Sequence, residues 1–205
     1  LAPASTIALK PRSLTPAQAA VVPISALTAW QGLVGRGPVR RGDRVLIHGA
    51  AGGVGVFAVQ LAHALGAYVV ATASTGNIEF VRALGADEVV DYRAERFEAA
   101  TCLVDFVFDG VGGDTLARSW RMLRPGGRLV TIAAQSAAEA SARDREAFLL
   151  VQADQAQLTE IARRIDAGKL QAVVEAVYPL VNAREAYARA RRGGMRGKIA
   201  LGVAV

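Results

Sequence analysis

The sequence predicts a doubly wound α/β domain, a parallel sheet of six short strands with helices on both faces. Apolar runs of four to six residues alternate with stretches of helical spacing. The runs are apolar on both faces, as strands covered from both sides must be. Between the first run and the first helical stretch lies a glycine cluster, Gly49 to Gly55, where a strand has to turn sharply into a helix.

Each element follows from local chemistry. After the turn signal Arg41-Gly42-Asp43, Arg44 to His48 (RVLIH) reads as the first strand. From Val54 to Leu65, the residues Val54, Phe57, Ala58, Leu61, Ala62 and Leu65 share one helical face. Gly66 closes this helix, and Tyr68 to Thr72 (YVVAT) is the second strand. Ile78 to Leu84 is a short helix ended by Gly85; Glu88 to Asp91 and Val104 to Phe108 are the third and fourth strands. A helix around Leu116 to Leu123 precedes Gly126-Gly127, which introduces the fifth strand, Arg128 to Ala133. Phe148 to Gln152 reads as a sixth strand, with a helix from Gln155 to Ala167 after it. The flanks break the pattern. Leu1 to Lys10 and the tail Ala172 to Val205, with its runs VVEAVY and KIALGVAV, read as edges of a second domain.

Composition narrows the function classes. Of 205 residues, 52% are hydrophobic and 20% charged, which excludes intrinsic disorder. One cysteine, Cys102, excludes a disulfide framework, and with only His48 and His63 beside it no nitrogen–sulfur metal site is expected. A reducing cytoplasm is the expected compartment. The 24 Lys and Arg exceed the 18 Asp and Glu by six, but the basic runs are short and aromatics are only 6%. That is thin for base stacking, so no nucleic-acid partner is expected. No long unbroken apolar window suggests a membrane span. Leu1 is not an initiator methionine and no signal-peptide pattern follows it, so the opening reads as the middle of a longer polypeptide.

The most informative segment is Ile47-His48-Gly49-Ala50-Ala51-Gly52-Gly53-Val54-Gly55. A glycine turn between a strand and a helix lets backbone N–H groups and the helix dipole face a pyrophosphate with no side chain between them. Gly52 would permit the approach of the phosphates, and Gly55 the packing of the helix on the sheet. Ala50 replaces the first glycine of the usual G-x-G-x-x-G, so the strand–turn–helix context carries the assignment more than the motif does. The second strand ends Ala71-Thr72-Ala73-Ser74, with no carboxylate before Glu79 to hold a ribose 2′-hydroxyl. This favours NADP(H) over NAD(H): Ser74 and Asn77 could donate to a 2′-phosphate, and Arg82, Arg93 or Arg96 could supply charge.

The stretches AAGGVGVFAVQLAHALGAYVVATAS, FVRALGADEVVDY, VDFVFDGVGG and PGGRLVTI, with the upstream LTPAQAAVVPISALTAWQGL and the closing MRGKIAL, resemble the zinc-independent medium-chain dehydrogenase/reductases of the quinone oxidoreductase type. The resemblance implies a Rossmann-type NADP-binding domain over residues 25–168. Residues 1–24 and 169–205 would then belong to a GroES-like catalytic domain that is mostly not represented. It also implies a set of cofactor-binding residues. Gly52, Gly53, Val54 and Gly55 would form the phosphate loop, and Ser74, Asn77 and Tyr92 the 2′-phosphate contacts. Asp109, Gly110 and Val111 would border the adenosine half. Ile132, Ala133 and Thr28 would lie beside the nicotinamide. Gly76 stands where relatives often carry a basic residue.

The chemistry so implied is hydride transfer to a quinone or an α,β-unsaturated carbonyl, with the cofactor doing the chemistry and the protein positioning it. The lack of zinc ligands points away from Lewis-acid alcohol oxidation. The catalytic residues remain unknown, and a homodimer is possible on the resemblance. Two other readings stay open: a non-catalytic dinucleotide-binding or sensor fragment, and an enoyl-reductase segment of a multienzyme synthase. His48 is expected to pack rather than transfer protons, Cys102 to be a buried inert thiol, and His63 to be solvated. Lys198 is either near the cofactor or a solvated strand-edge lysine.

Overall fold

The computed structural model describes residues 2–133 and 140–203. The chain opens with two helices, α1 (Pro16–Ala20) and α2 (Pro23–Trp30), the second running into a π-helical stretch, Gln31–Arg36. A capping box starts α1: the Thr15 side chain accepts from Gln18 N–H while the Gln18 side chain accepts from Thr15 N–H. The alternating region follows: β1 (Arg44–His48), α3 (Gly55–Ala64), β2 (Tyr68–Ala73), α4 (Ile78–Ala83), β3 (Glu88–Asp91), α5 (Phe97–Ala100), β4 (Val104–Asp109), α6 (Gly113–Ser119) and β5 (Leu123–Thr131). After it come α7 (Ala142–Ala147), α8 (Gln155–Asp166), β6 (Val174–Pro179), α9 (Ala183–Arg191) and β7 (Lys198–Gly202).

The first five strands form one parallel sheet in the order β3-β2-β1-β4-β5. The chain winds outward from β1 to β3, then crosses back to β4 on the other side of β1. The carboxyl ends of β1 and β4 therefore flank the point where winding reverses, the place where open α/β sheets leave a crevice. Both faces are buried, as the apolar runs predict. Val45, Ile47, Val69, Ala71, Phe106 and Phe108 pack into one core with residues of α2, α3 and α8; Leu46, Val70 and Val107 pack into the other with Phe97 and Leu116. Each such side chain contributes roughly 1.5–3 kcal/mol when fully buried, so neither face could be left wet. Glycine lets the π-helical stretch lie flat on β4. A Cβ on Gly32 would meet the Phe108 ring at 2.5 Å, and one on Gly37 the Phe106 ring at 2.4 Å.

The doubly wound class stands, but among the described residues the sheet has five strands, not the six expected. Phe148 makes only an isolated parallel bridge to Thr131, with Leu149 N–H donating to Thr131 O at 2.9 Å. Side chains satisfy the backbone that a sixth strand would have paired. Arg36 donates to the carbonyls of Phe148 and Glu146 at 2.7 and 2.6 Å. Gln31 exchanges bonds with Gln152, accepting from its N–H at 3.0 Å and donating to its carbonyl at 2.7 Å.

The tail runs VVEAVY and KIALG are strands, β6 and β7, paired in parallel with α9 between them. Ahead of β7 the backbone crosses to the glycine turn, where Gly197 bridges Gly52 and its N–H donates to Ala51 O at 2.8 Å. Gly197 takes φ +70°, and a Cβ there would lie 2.2 Å from Val173 O, so only glycine fits.

Candidate functional site

Gly49 leaves β1 at φ +73°, and its carbonyl accepts Gly52 N–H at 3.0 Å, closing a tight turn. The glycines beyond it differ in kind. A Cβ on Gly55 would sit 2.1 Å from Gly49 O, so Gly55 is required for α3 to start against the turn. A Cβ on Gly52 would meet only Gly49 O, at 3.2 Å. That contact is tight but far milder than the one at Gly55, and no side chain stands within 4 Å of where a Cβ on Gly52 would lie. A Cβ on Gly53 would strike the Lys198 side chain at 2.6 Å, which shows that the methylene stem of Lys198 lies across this loop. Among the described residues, no backbone acceptor takes the N–H groups of Gly53 or Val54. With the positive end of the ten-residue α3 behind them, they form a cradle for an anion.

Across the reversal point, β4 ends at Asp109. Its buried carboxylate accepts Val111 N–H at 3.0 Å, Gly112 N–H at 3.1 and 3.0 Å, and the Thr131 hydroxyl at 2.7 Å. Both oxygens are thus engaged within the chain. Asp109 braces the turn that presents Gly110 and Val111; it is not aimed at a ligand. Gly110 packs against His48 O, where a Cβ would be at 3.1 Å, and the exposed Val111 lies beside Gly49. Ile132 and Ala133, half-buried, leave β5 next to them, with Ile132 N–H donating to Asp109 O at 2.9 Å. The structure therefore brings the glycine turn, Gly110, Val111, Ile132 and Ala133 together at the carboxyl edge of the sheet. Thr28 is buried in α2, which packs on α3, and its hydroxyl donates back to Ile24 O at 2.6 Å.

The end of β2 forms the second half of the site. Ser74 and Asn77 are buried in a short turn closed by Asn77 N–H donating to Ser74 O at 2.7 Å. Tyr92, exposed, stands alongside because its N–H donates to Ala73 O at 3.2 Å. Of the three arginines expected to supply charge, Arg82 is paired with Glu79 at 2.5 Å and Arg96 with Glu98 at 3.1 Å. Arg93 is exposed beside Asp91, whose carboxylate accepts Arg93 N–H at 2.9 Å. A fourth arginine, missed in the sequence, reaches this turn from the tail. Arg196 donates from Nε to Asn77 Oδ1 at 2.9 Å and from Nη2 to Gly76 O at 2.7 Å. Its separation of 119 residues from Asn77 left no local signal; the only hint was the family-like MRGKIAL around it.

His48 is buried with both ring nitrogens bonded, Nδ1 to Thr72 Oγ1 and Nε2 to Ser119 Oγ, each at 3.0 Å. The Ser119 hydroxyl donates to Thr115 O at 2.6 Å, so it accepts from His48 Nε2–H, and the network assigns the proton of the neutral ring to Nε2. Burial pushes this histidine down to about 4, against an opposing pull from Asp109. It packs edge-on to Phe97 and faces no open site. Cys102 corrects its expectation: it is exposed, because it lies in the loop before β4 rather than in the strand. His63 is exposed near the end of α3. Among the described residues no cluster of three His, Cys, Asp or Glu is placed to hold a metal ion, and no helix is long and apolar enough to cross a membrane.

A zinc-binding dehydrogenase family model matches residues 84–201. The bovine mitochondrial NAD(P)H oxidoreductase RTN4IP1 is 35% identical over 227 residues, covering 95% of this chain and 57% of that protein. The spectinabilin polyketide synthase system protein NorB of Streptomyces orinoci is 40% identical over 200 residues, covering 90% of this chain but 9% of that protein. The quinone oxidoreductase structure from Coxiella burnetii superposes with a TM-score of 0.89 at 34% identity, covering 95% of this chain and 63% of that one. The chain thus spans a little over half the length of the curated oxidoreductase it matches. The expected cytoplasmic compartment is corrected, since the bovine relative is named a mitochondrial protein. Cysteine content speaks to redox conditions, not to an address.

Proposed function

This chain belongs to the zinc-binding dehydrogenase family of medium-chain dehydrogenase/reductase oxidoreductases, and from that premise we propose that it is the cofactor-binding part of an NADPH-dependent reductase of quinones or α,β-unsaturated carbonyls. The observation that carries this reading is the bare Gly52 beside unpaired N–H groups at the sheet's reversal point. Gly52, Gly53, Val54 and Gly55 would hold the pyrophosphate. Ser74, Asn77 and Tyr92 would surround the adenine ribose and its phosphate, with Gly110 and Val111 bordering the adenosine. Ile132, Ala133 and Thr28 would lie on the nicotinamide side. When bound, the nicotinamide supplies the hydride; these residues bind it, orient it and exclude water on its sheet side. Residues 25–168 are read as the nucleotide domain, and 1–24 and 169–205 as segments of a catalytic domain. Similarity to the Coxiella quinone oxidoreductase supports the substrate class.

The missing carboxylate at the end of β2 supports NADP over NAD. One donor reaching a 2′-phosphate contributes roughly 1.5–3 kcal/mol, enough for about tenfold discrimination. Fluorescence titration with NADPH and NADH tests this: NADPH should bind at least about tenfold more tightly at low salt, with the ratio shrinking as salt rises. Equal affinities at low salt would refute the cofactor assignment. A second reading, an enoyl-reductase segment of a multienzyme synthase, is favoured by the match that covers 90% of this chain inside a far longer polyketide synthase protein. Both readings place a hydride on an activated substrate beside the same cofactor site.

A further inference from the structure

The geometry points to Arg196 as the cation that reads the 2′-phosphate, delivered to the adenosine end of the site by the tail. This inference rests on the dinucleotide reading and names the residue that would set its phosphate preference. The backbone around Arg196 is fixed from two sides. Its own N–H donates to Glu175 Oε2 at 2.7 Å, and the next residue, Gly197, is bonded to Ala51 O in the glycine turn at 2.8 Å. From that anchor the side chain reaches past Phe80, with the guanidinium 5.2 Å from the ring centre, to Asn77 Oδ1 and Gly76 O. Gly76 is where the resemblance leads one to look for a basic side chain and finds none. The charge that position lacks arrives from 120 residues further along the chain.

What Arg196 touches matters as much as where it stands. Both acceptors are neutral, and among the described residues the guanidinium makes no ion pair, whereas Arg82, Arg96 and Arg189 are all paired with carboxylates. A guanidinium held on neutral oxygens keeps its full charge for an incoming anion, and its remaining N–H donors suit a phosphate. The carboxylates nearby are occupied. Glu175 is paired with Arg189 at 2.5 Å. Asp91, at the end of β3, reaches this same turn, where the Thr75 hydroxyl and the Arg93 N–H engage its carboxylate and hold it below its ordinary range. Ser74, buried at the end of β2, and the exposed Tyr92 complete the surroundings.

The test is calorimetric titration of the whole chain and of Arg196→Gln and Arg196→Lys with NADPH, NADH, adenosine 2′,5′-bisphosphate and AMP. Arg196→Gln should weaken NADPH and the bisphosphate at least tenfold while moving NADH and AMP less than twofold. Arg196→Lys should retain part of the preference, and thermal melting should show that each variant folds. An equal loss for all four probes would overturn the inference, because it would make Arg196 a latch that only holds the tail on the turn. An unchanged NADPH affinity in Arg196→Gln, with the parent still preferring NADPH, would overturn it while leaving the NADP reading intact. No preference in the parent would refute the NADP reading itself, before any variant is measured.

Discussion

His48 shows how a single buried residue can set the acid side of stability. In the unfolded chain it titrates near 6.5, and in the fold at about 4. Between these values the unfolded chain binds a proton that the native ring refuses. Its contribution is therefore whole above about pH 6.5, declines as the pH falls towards 4, and is constant below that. The difference amounts to about 3 kcal/mol. Urea midpoints measured from pH 7 to 4 should fall accordingly in the parent and stay flatter over that interval in His48→Gln. Carboxylates enter only the acid end of this window, and they do so in the parent and in His48→Gln alike. Glu160, held at about 2 by hydrogen bonds from Arg163 and Arg164, loses its advantage only as the pH drops below 4.5. The glycine turn gives a second contrast at this scale. Gly55→Ala puts a Cβ on a fixed carbonyl and should cost about 3 kcal/mol of stability. Gly52→Val presses on Gly49 O at 3.2 Å and should lower the melting temperature less than Gly55→Ala does, yet weaken dinucleotide binding at least tenfold, about 1.4 kcal/mol. Calorimetric titration beside thermal melts separates the two. Both glycines were legible in the sequence because spacing within one turn is local. Arg196 was not, because its place depends on where the tail crosses.

The elements divide along the same line. Strands buried on both faces and the helix after the glycine turn were readable because apolar periodicity is written in consecutive residues. The sixth strand was misread for a physical reason: FLLVQ has the composition of a strand, but Gln31 and Arg36 from a distant helix take the backbone bonds that composition cannot assign. Asp109 was read as bordering the adenosine half of a cofactor, and its segment lies at the carboxyl edge of the sheet. Only the fold shows that its oxygens are consumed in tying β4 to β5 and to the following turn. Asp109→Asn replaces an acceptor with an N–H donor opposite backbone N–H groups in a buried site. It should destabilise the fold by about 2–3 kcal/mol, whereas Thr131→Val, which removes one donor, should cost about 1 kcal/mol. Chemical denaturation of the two variants checks the order; a smaller cost for Asp109→Asn than for Thr131→Val would show that the brace is dispensable.

For the molecule as a whole, the cofactor side is well furnished and the substrate side is not. The glycine turn, the end of β2 and the segment before β7 would enclose the proposed dinucleotide from three directions, yet several large apolar side chains of the flanking segments stand in solvent, among them Leu9, Val177, Val181 and Tyr187. These belong to the segments read as parts of a catalytic domain, and the bovine relative has 43% of its length outside the match, the remainder of the 57% covered. Orientation of a substrate against the nicotinamide is worth several kcal/mol of the barrier, so binding and turnover should come apart. A polypeptide of these 205 residues should bind NADPH but oxidise it with 9,10-phenanthrenequinone at least about a hundredfold more slowly than the same residues joined to a GroES-like domain, equivalent to about 2.7 kcal/mol. Steady-state NADPH oxidation by both forms, with affinity measured in parallel, decides the matter. Equal rates would mean that the 205 residues already carry the substrate walls, and the assignment of residues 1–24 and 169–205 to a catalytic domain would have to be abandoned.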